Sequence, residues 1–410
     1  MTILEQLRKA GISDKNIINT FMFKAGGYSN NEKHSYTFGS SKNPEIFWGE
    51  IHFNGKGKLH KIVTGNLLAS EKSKLDFVKN ALSDIKGNHG YTIQHRILFS
   101  RRPLKGKFQW KDDFRIKPCI NTSQIGKGLA YGVDNIHLKD TEKHLGPPYP
   151  FILEVRTKKS PNYIIEHNRI FEALDLYEWL LGLLIPHLLS YPLNNNYPKW
   201  VVLQKDGNLE YHLAKEGFSA HESEIESSDD FSALDIPNVP RYSGNEDYYN
   251  HLWIHSSEIE LPVEMEHNLN SFDNLPTELK ENFKRSLYWF NTGLKLYNNN
   301  QLSVIPFVTA IESLNPKPSE QCCPDCKRPL DDGPTKLFRE FLNKHLLLPK
   351  DIDNLKNNIY KLRSDMVHGN FATAADQNFH SIGKFEHHDF IAENFIRRAL
   401  VNYLCTGSYE

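Results

Sequence analysis

The sequence is poor in cysteine, nearly free of net charge and without a long hydrophobic run. It has five cysteines in 410 residues, three of them crowded at Cys322, Cys323 and Cys326, and a formal net charge of −1. Sparse, clustered cysteine is typical of a reducing compartment, so we expect a cytoplasmic protein rather than a disulfide scaffold. Without an excess of charge, a surface for nucleic acid has to be a local patch.

No targeting or membrane segment is expected from the sequence. Residues 1–9 do not combine a basic start with an apolar run, which a signal peptide requires. The most apolar segment, residues 179–191, is interrupted by Pro186 and His187 and is too short to span a bilayer. We therefore expect a protein that does not associate with a membrane.

Length and pattern predict an α+β chain of two domains, because 410 residues exceed a typical single core. Residues 1–268 mix helix and strand patterns and predict an α/β domain of sensor or targeting type, to which no family is assigned. Its clearest hairpin lies at residues 200–213, with a turn at Lys205-Asp206-Gly207-Asn208. Residues 272–410 predict an all-α bundle of five helices, with a cysteine-containing insertion at 315–334. Leu302 is expected in its second helix, and Thr335 is expected to cap its third helix.

The helix that ends near residue 368 places polar side chains away from its apolar stripe. The stripe consists of residues spaced three and four apart, namely Ile352, Leu355, Ile359, Leu362 and Met366. At about 100° per residue, Ser364 and His368 lie roughly opposite the stripe and Arg363 lies on its flank. Gly369 follows at once, as is common at a helix end.

Arg363 and His368 are the candidate catalytic residues. A guanidinium holds a phosphate through two hydrogen bonds, and a histidine donates or accepts a proton near neutral pH. RNA carries its own nucleophile, the 2′-hydroxyl, so a site only has to orient it, move protons and stabilise the phosphorane, without a metal. The alternative is structural, because both side chains can also satisfy free carbonyl groups at a helix C-terminus. Spacing alone favours that alternative.

The stretch Tyr360-Lys361-Leu362-Arg363-Ser364-Asp365-Met366-Val367-His368-Gly369 resembles the Apea-like branch of the HEPN superfamily (higher eukaryotes and prokaryotes nucleotide-binding). Arg363 and His368 match its arginine–histidine motif, in which four to six residues separate the two. Ala310-Ile311-Glu312-Ser313-Leu314, in the second bundle helix, is similar to the same branch. The resemblance covers only the helical part of the chain.

The resemblance implies a metal-independent endoribonuclease, a toxin or antiphage effector that cuts cellular RNA such as tRNA. It implies a homodimer in which Arg363 and His368 of two protomers line one composite cleft. The supporting or RNA-binding candidates are Ser364, Asp365, Glu312 and Asn370. Glu312 would hold Arg363, polarise His368 or be only a surface charge, and Asn370 would bind RNA or only cap the helix.

A second function stays open because Ser364 stands where catalytic members often have Asn, Asp or His. The alternative is a non-catalytic HEPN scaffold that binds RNA or a partner protein. A role in binding small nucleotides is a weaker third option, since the N-terminal part has no nucleotidyltransferase signature.

The cysteine cluster suggests a zinc site, with free thiols in an exposed loop as an equal alternative. Cys323-Pro324-Asp325-Cys326 has the spacing with which two thiolates hold one tetrahedral zinc ion. Cys322 is a third candidate ligand, and the remaining ligand would come from another chain or from His380, His387, His388 or Cys405. Such a zinc would be structural, and no cofactor is expected for catalysis.

Residues 101–117 contain seven basic residues with Phe108, Trp110 and Phe114 between them. Basic and aromatic side chains in this arrangement suit backbone contact and base stacking on single-stranded RNA. A surface hairpin has the same composition, and Asp112 and Asp113 dilute the charge. Of the two interpretations, the hairpin is favoured.

Overall fold

The chain combines helices with several small sheets in a computed structural model. The described residues are 2–25, 28–31, 35–38, 49–54, 58–64, 68, 70–100, 102–118, 149–186, 188–189, 199–205, 208–214, 229–242, 244–250, 257–296, 302–314, 333–346, 354–368 and 388–406. Within these ranges there are eleven helices and thirteen strands. The fold is therefore mixed α and β, which agrees with the predicted α+β class.

The N-terminal elements form an antiparallel meander with three helices. They are α1 (Ile3–Lys9), α2 (Asp14–Ala25), β1 (Tyr28–Asn31), β2 (Ser35–Phe38), β3 (Gly49–Phe53), β4 (Leu59–Thr64) and α3 (Glu71–Lys86), with the strands in the order β1-β2-β3-β4. Helix α1 begins at a capping box, in which Thr2 and Glu5 each bond the other's backbone N–H. Leu7, Ile17 and Phe21 are buried in the core of this part.

A five-stranded sheet and a long helix follow. They are β5 (Tyr91–Ser100), β6 (Phe108–Trp110), β7 (Phe114–Pro118), β8 (Tyr149–Lys158), α4 (Tyr163–Leu184) and β9 (Leu188–Leu189), and the sheet order is β6-β7-β8-β5-β9. The next two strands, β10 (Lys199–Lys205) and β11 (Asn208–Ala214), pair antiparallel with Lys205 opposite Asn208. This register leaves a two-residue connection and confirms the predicted hairpin.

The C-terminal part is helical. After β12 (Arg241–Tyr242), α5 (Asn245–Asn250), β13 (Leu261–Pro262) and α6 (Met265–Asp273) come α7 (Thr277–Lys295), α8 (Val304–Glu312), α9 (Pro334–His345), α10 (Asn354–Val367) and α11 (His388–Thr406). Helix α8 packs against α7, α9, α10 and α11. Its central position follows from its composition, since its apolar residues Phe307, Val308, Ala310 and Ile311 are all fully buried.

Two details of this helical part differ from the sequence-based expectation. Thr335 was expected to cap α9, but the cap position is Gly333 and Pro334 is the first helical residue, where its fixed φ is favourable. Leu302 was expected inside α8, but it precedes the helix and is 51% exposed. The hydroxyl of Thr335 is thereby left for a different contact, which is described with the candidate site.

The chain divides into two compact units. The first consists of residues 1–94, 155–174 and 226–233, and the second of residues 95–154, 175–225 and 234–410. The predicted domain boundary at 268–272 lies within the second unit, and the division into sensor and bundle domains stays a prediction. Among the described residues, none of the helices combines the length and apolar character that a bilayer crossing requires.

Candidate active site

Helix α10 has one buried face and one solvent-exposed face, as its periodicity predicts. Ile359 and Leu362 are buried, Arg363 and Ser364 are partly buried, and His368 is exposed. The backbone N–H of His368 donates to the carbonyl of Ser364 at 3.0 Å, so His368 still belongs to the last helical turn. Asp365 is partly exposed on the same helix. The sequence motif therefore lies at the C-terminal end of α10 with its histidine open to solvent.

Glu312 joins two side chains of α10. It is the last residue of α8, and its Oε2 accepts a hydrogen bond from Nη2 of Arg363 at 3.1 Å. Its Oε1 accepts a hydrogen bond from the hydroxyl of Tyr360 at 3.2 Å. Of the expectations for Glu312, the geometry matches the one in which it holds Arg363. Both oxygens of one carboxylate are thus committed to the motif helix.

The ring of Tyr360 packs against the side chain of Arg363. Its ring is 7% exposed and packs against Phe338 of α9 at 5.2 Å between ring centroids. The guanidinium carbon of Arg363 lies 5.7 Å from the centre of the Tyr360 ring, within the range of a cation–π contact. Arg363 is therefore held by a carboxylate at its end and by an aromatic ring along its side.

The phenol of Tyr360 is kept in its protonated form. Burial raises the pKa of Tyr360, the nearby charge of Glu312 raises it further, and a hydrogen bond with Thr335 opposes the shift. A protonated phenol donates to a carboxylate, which matches its contact with Glu312. The sequence predicts this same Thr335 as the cap of α9.

The Arg363–Glu312 ion pair is partly exposed. The two side chains retain 23% and 20% of their exposure, so the carboxylate stays accessible to water. The Nε of Arg363 is buried and has no hydrogen-bond partner among the described residues. An arginine in this state has one donor fixed by protein while part of its side chain stays open to solvent, which allows it to bind an anion without losing its orientation.

Several predicted residues lie outside the described ranges. Asn370, Cys322, Cys323 and Cys326 belong to this group, and the structural zinc stays a prediction. Within the described ranges, no group of three His, Cys, Asp or Glu side chains is placed to hold a metal ion.

One candidate zinc ligand, Cys405, is described. Its thiol donates to Oδ1 of Asn268 at 2.9 Å, and burial raises its pKa to about 12. Cys405 is thus a partly buried polar contact of α11, and its role as a zinc ligand stays a prediction.

The basic segment of residues 102–117 is part of the fold. The aromatic residues Phe108, Trp110 and Phe114 are buried. Lys105 pairs with Glu258 and Lys111 with Asp273, while Arg115 and Lys117 both pair with the buried Glu154. Side chains that are buried or paired in this way are not arranged for base stacking or phosphate contact, and the hairpin interpretation is confirmed by β6 and β7, which pair antiparallel.

Tyr360 and Thr335 are site residues that sequence analysis missed. Tyr360 precedes Arg363 by three positions, which places the two on one side of a helix, so a signal for Tyr360 was present in the spacing. Thr335 carries no such signal, because its contact joins two different helices. Comparisons with protein-family models, curated proteins and solved structures gave no match, so the site is defined by its geometry alone.

Proposed function

We propose that this chain is a metal-independent endoribonuclease of the HEPN type, acting as a defence or toxin effector on cellular RNA such as tRNA in the cytoplasm. The observation that carries the proposal is the clamp of Glu312 and Tyr360 on Arg363, five residues before an exposed His368. An oriented guanidinium and an accessible imidazole are the two groups that RNA transesterification requires.

In the proposed reaction, the RNA provides the nucleophile and the leaving group. The 2′-hydroxyl loses its proton and attacks the adjacent phosphorus, the bond to the 5′-oxygen breaks, and that oxygen takes up a proton. The products are a 2′,3′-cyclic phosphate and a 5′-hydroxyl. His368 acts as general acid or base for these proton transfers, and Arg363 binds the phosphate and the negative charge that grows on it.

A homodimer would supply a second histidine. Because one reaction needs a proton acceptor and a proton donor, two copies of His368 at a two-fold axis can divide these roles. Ser364 and Asp365, partly exposed beside Arg363, and Asn370 would contact the RNA. A structural zinc at Cys322, Cys323 and Cys326 would stabilise the insertion, outside the reaction.

The same ion pair supports a second candidate, a non-catalytic scaffold. The charge of Arg363 is already compensated by Glu312 at 3.1 Å, which weakens its attraction for a phosphate. A scaffold of this kind would retain RNA or a protein partner without cutting the RNA, and His368 would matter little. Cleavage in chelator distinguishes the two functions.

The decisive experiment measures RNA cleavage by the purified chain in excess chelator. We expect a single-stranded RNA or tRNA to be cut with a 2′,3′-cyclic phosphate end, detected by mass spectrometry. Arg363→Ala or His368→Ala should lower the rate by about 10²-fold or more, because each removes a transition-state group. A substrate with a single 2′-deoxy sugar at the cut site should resist cleavage.

The controls use the same residue types on other helices. Arg285 on α7 and His267 on α6 are exposed, and Arg285→Ala and His267→Ala should leave cleavage unchanged. All variants should retain the far-ultraviolet circular dichroism of the parent chain, and sedimentation reports whether the chain is a dimer. Full activity of both site variants would refute the assignment, and binding without cleavage would favour the scaffold.

A further inference from the structure

The candidate site contains a hydrogen-bonded chain that joins two helices. The phenol of Tyr360 on α10 donates to Glu312 at the end of α8, and Glu312 accepts from Arg363 on α10. Only Arg363 belongs to the catalytic pair. The other two residues determine where its guanidinium lies.

Tyr360 is the member of this chain that can be tested most cleanly. Its ring is buried against Phe338, so the aromatic body fixes the position of the hydroxyl. The hydroxyl contacts one oxygen of Glu312 and leaves the other for Arg363. Without the hydroxyl, we expect the partly exposed carboxylate to rotate more freely, so that the end of Arg363 loses its fixed partner.

We infer that Tyr360 is a positioning residue that acts on Arg363 through Glu312. It does not touch the reacting atoms, and its contribution is the orientation of the guanidinium before RNA binds. Such preorganisation lowers the cost of reaching the transition state, because the group does not have to be ordered during the reaction. In its effect on cleavage, this inference rests on the proposed nuclease function.

The first experiment is a double-mutant cycle that compares the cleavage kinetics of Tyr360→Phe, Glu312→Gln and the double variant. Phenylalanine keeps the ring contacts and removes one oxygen, so we expect kcat to fall about tenfold, the typical effect of losing one hydrogen bond to a charged group, with little change in KM. Because both variants break the same chain, the double variant should lose little more activity than the single variants. Independent, multiplicative losses would overturn the inference.

Tyr248→Phe is the matched control. Tyr248 is also 7% exposed, and its hydroxyl also donates one hydrogen bond, here to the carbonyl of Glu260 at 2.8 Å. Its substitution therefore removes the same atom from an equally buried phenol outside the site. Cleavage by Tyr248→Phe should match the parent, and an equal loss in both variants would show a general effect of destabilisation.

A second experiment reads the position of Arg363 without relying on cleavage. In a chain labelled with nitrogen-15 arginine, the Nε–H signal of Arg363 is assigned by its loss in Arg363→Lys. Because this Nε is buried, its hydrogen should exchange slowly with water, and Tyr360→Phe should accelerate the exchange several-fold while Tyr248→Phe should not. This result, together with the kinetic loss, supports the positioning role.

The two experiments separate the inference from the nuclease proposal. If the parent chain cuts no RNA, the nuclease proposal fails, while the exchange measurement still decides whether Tyr360 orders Arg363. If Arg363→Ala abolishes cleavage but Tyr360→Phe changes neither exchange nor kcat, the nuclease stands and the positioning role is refuted. Faster exchange with an unchanged kcat also refutes it, because the ordering would then have no catalytic effect.

Discussion

Two sets of residues in the helical part contain the same three residue types and differ in burial. The candidate site has Glu312, Arg363 and His368. The second set, here called the buried set, has Glu393 and Arg397 on α11 and His345 on α9, whose ring contacts Tyr403 of α11 at 5.2 Å. The arginines retain 23% and 0% of their exposure, respectively.

The buried arginine is held by three groups of the fold, while its Nε, like that of Arg363, has no hydrogen-bond partner among the described residues. Arg397 donates to the backbone carbonyls of Gly182 at 2.6 Å and of Leu183, both in the last turn of α4, and to Glu393 at 2.7 Å. A helix C-terminus leaves its last carbonyls without partners, and a cation there is favourable. The comparison teaches that residue type does not identify a functional arginine. What distinguishes Arg363 is that protein groups fix it without surrounding it.

The largest predicted effect is on the free energy of unfolding, which we expect to fall much more when Arg397 is replaced than when Arg363 is replaced. Arg397→Leu strands a buried carboxylate and two carbonyls, so we expect it to lower the free energy of unfolding by about 3–5 kcal/mol. Arg363→Leu leaves Glu312 open to water and should lower it by about 1 kcal/mol or less. Urea denaturation of both variants provides the measurement.

Two further variants control this comparison. Removing both charges in Arg397→Leu with Glu393→Leu should recover part of the loss, since no charge then stays buried alone. Arg285→Leu, at an exposed position of α7, should change the free energy of unfolding by less than about 0.5 kcal/mol. Equal losses from Arg397→Leu and Arg363→Leu would remove the distinction between the two sets.

The second prediction concerns the buried histidine and pH. Burial lowers the pKa of His345 to about 4, with the charge of Lys344 adding to the effect. Between pH 6.5 and 4 the unfolded chain therefore binds a proton that the folded chain does not, so stability falls as the pH is lowered through this window. The loss from this group is about 1.5 kcal/mol between pH 6.5 and 5.

His345→Phe tests this assignment, because phenylalanine can keep the ring contacts with Phe341 and Tyr403. Its stability should depend less on pH between 6.5 and 5 than that of the parent. His267→Phe, at an exposed position of α6, should keep the parent's dependence. An unchanged slope in His345→Phe would show that other groups cause the acid sensitivity of this part.

Sequence alone predicted those features of the site that depend on one helix. The spacing in α10 placed Ile359 and Leu362 inside and His368 outside because a helix with one wet face has a clear period. The partner of Arg363 lies 51 residues earlier in the chain, and no periodicity connects the two. For the same reason, Arg397 could not be recognised as a buried residue, since its carbonyl partners belong to α4.

The basic segment of residues 102–117 also shows that sequence predicts local structure but not contacts with distant residues. The composition of residues 101–117, with Asp112 and Asp113 among the basic residues, favoured a hairpin, and the paired strands β6 and β7 are observed. Whether its lysines were free for RNA depended on acidic partners far along the chain, such as Asp273, which is 162 residues from Lys111. Composition counts charges, but only the fold determines which of them are neutralised.

The smallest predicted effect extends the comparison to lysines. Lys361 is exposed on α10, three and seven positions before Ser364 and His368, and therefore on the same side of the helix. Lys361→Ala should weaken RNA binding a few-fold and reduce its dependence on salt by about one phosphate contact. Lys111, which pairs with Asp273 at 2.8 Å and lies 4.1 Å from the centre of the Trp110 ring, should be replaceable by alanine without loss of binding.

Fluorescence anisotropy with a short labelled RNA measures the binding affinity of both lysine variants. The measurement is made at two salt concentrations and in the His368→Ala background, which prevents cutting. The reasoning is that a cation already bonded to a carboxylate releases few counterions from RNA, whereas an exposed cation beside the site releases its share. If Lys111→Ala weakens binding as much as Lys361→Ala, the hairpin takes part in RNA binding. The burial of its aromatic residues would then not indicate whether it binds RNA. The contrast between cations held by the fold and cations open to a ligand would apply only to the two arginines.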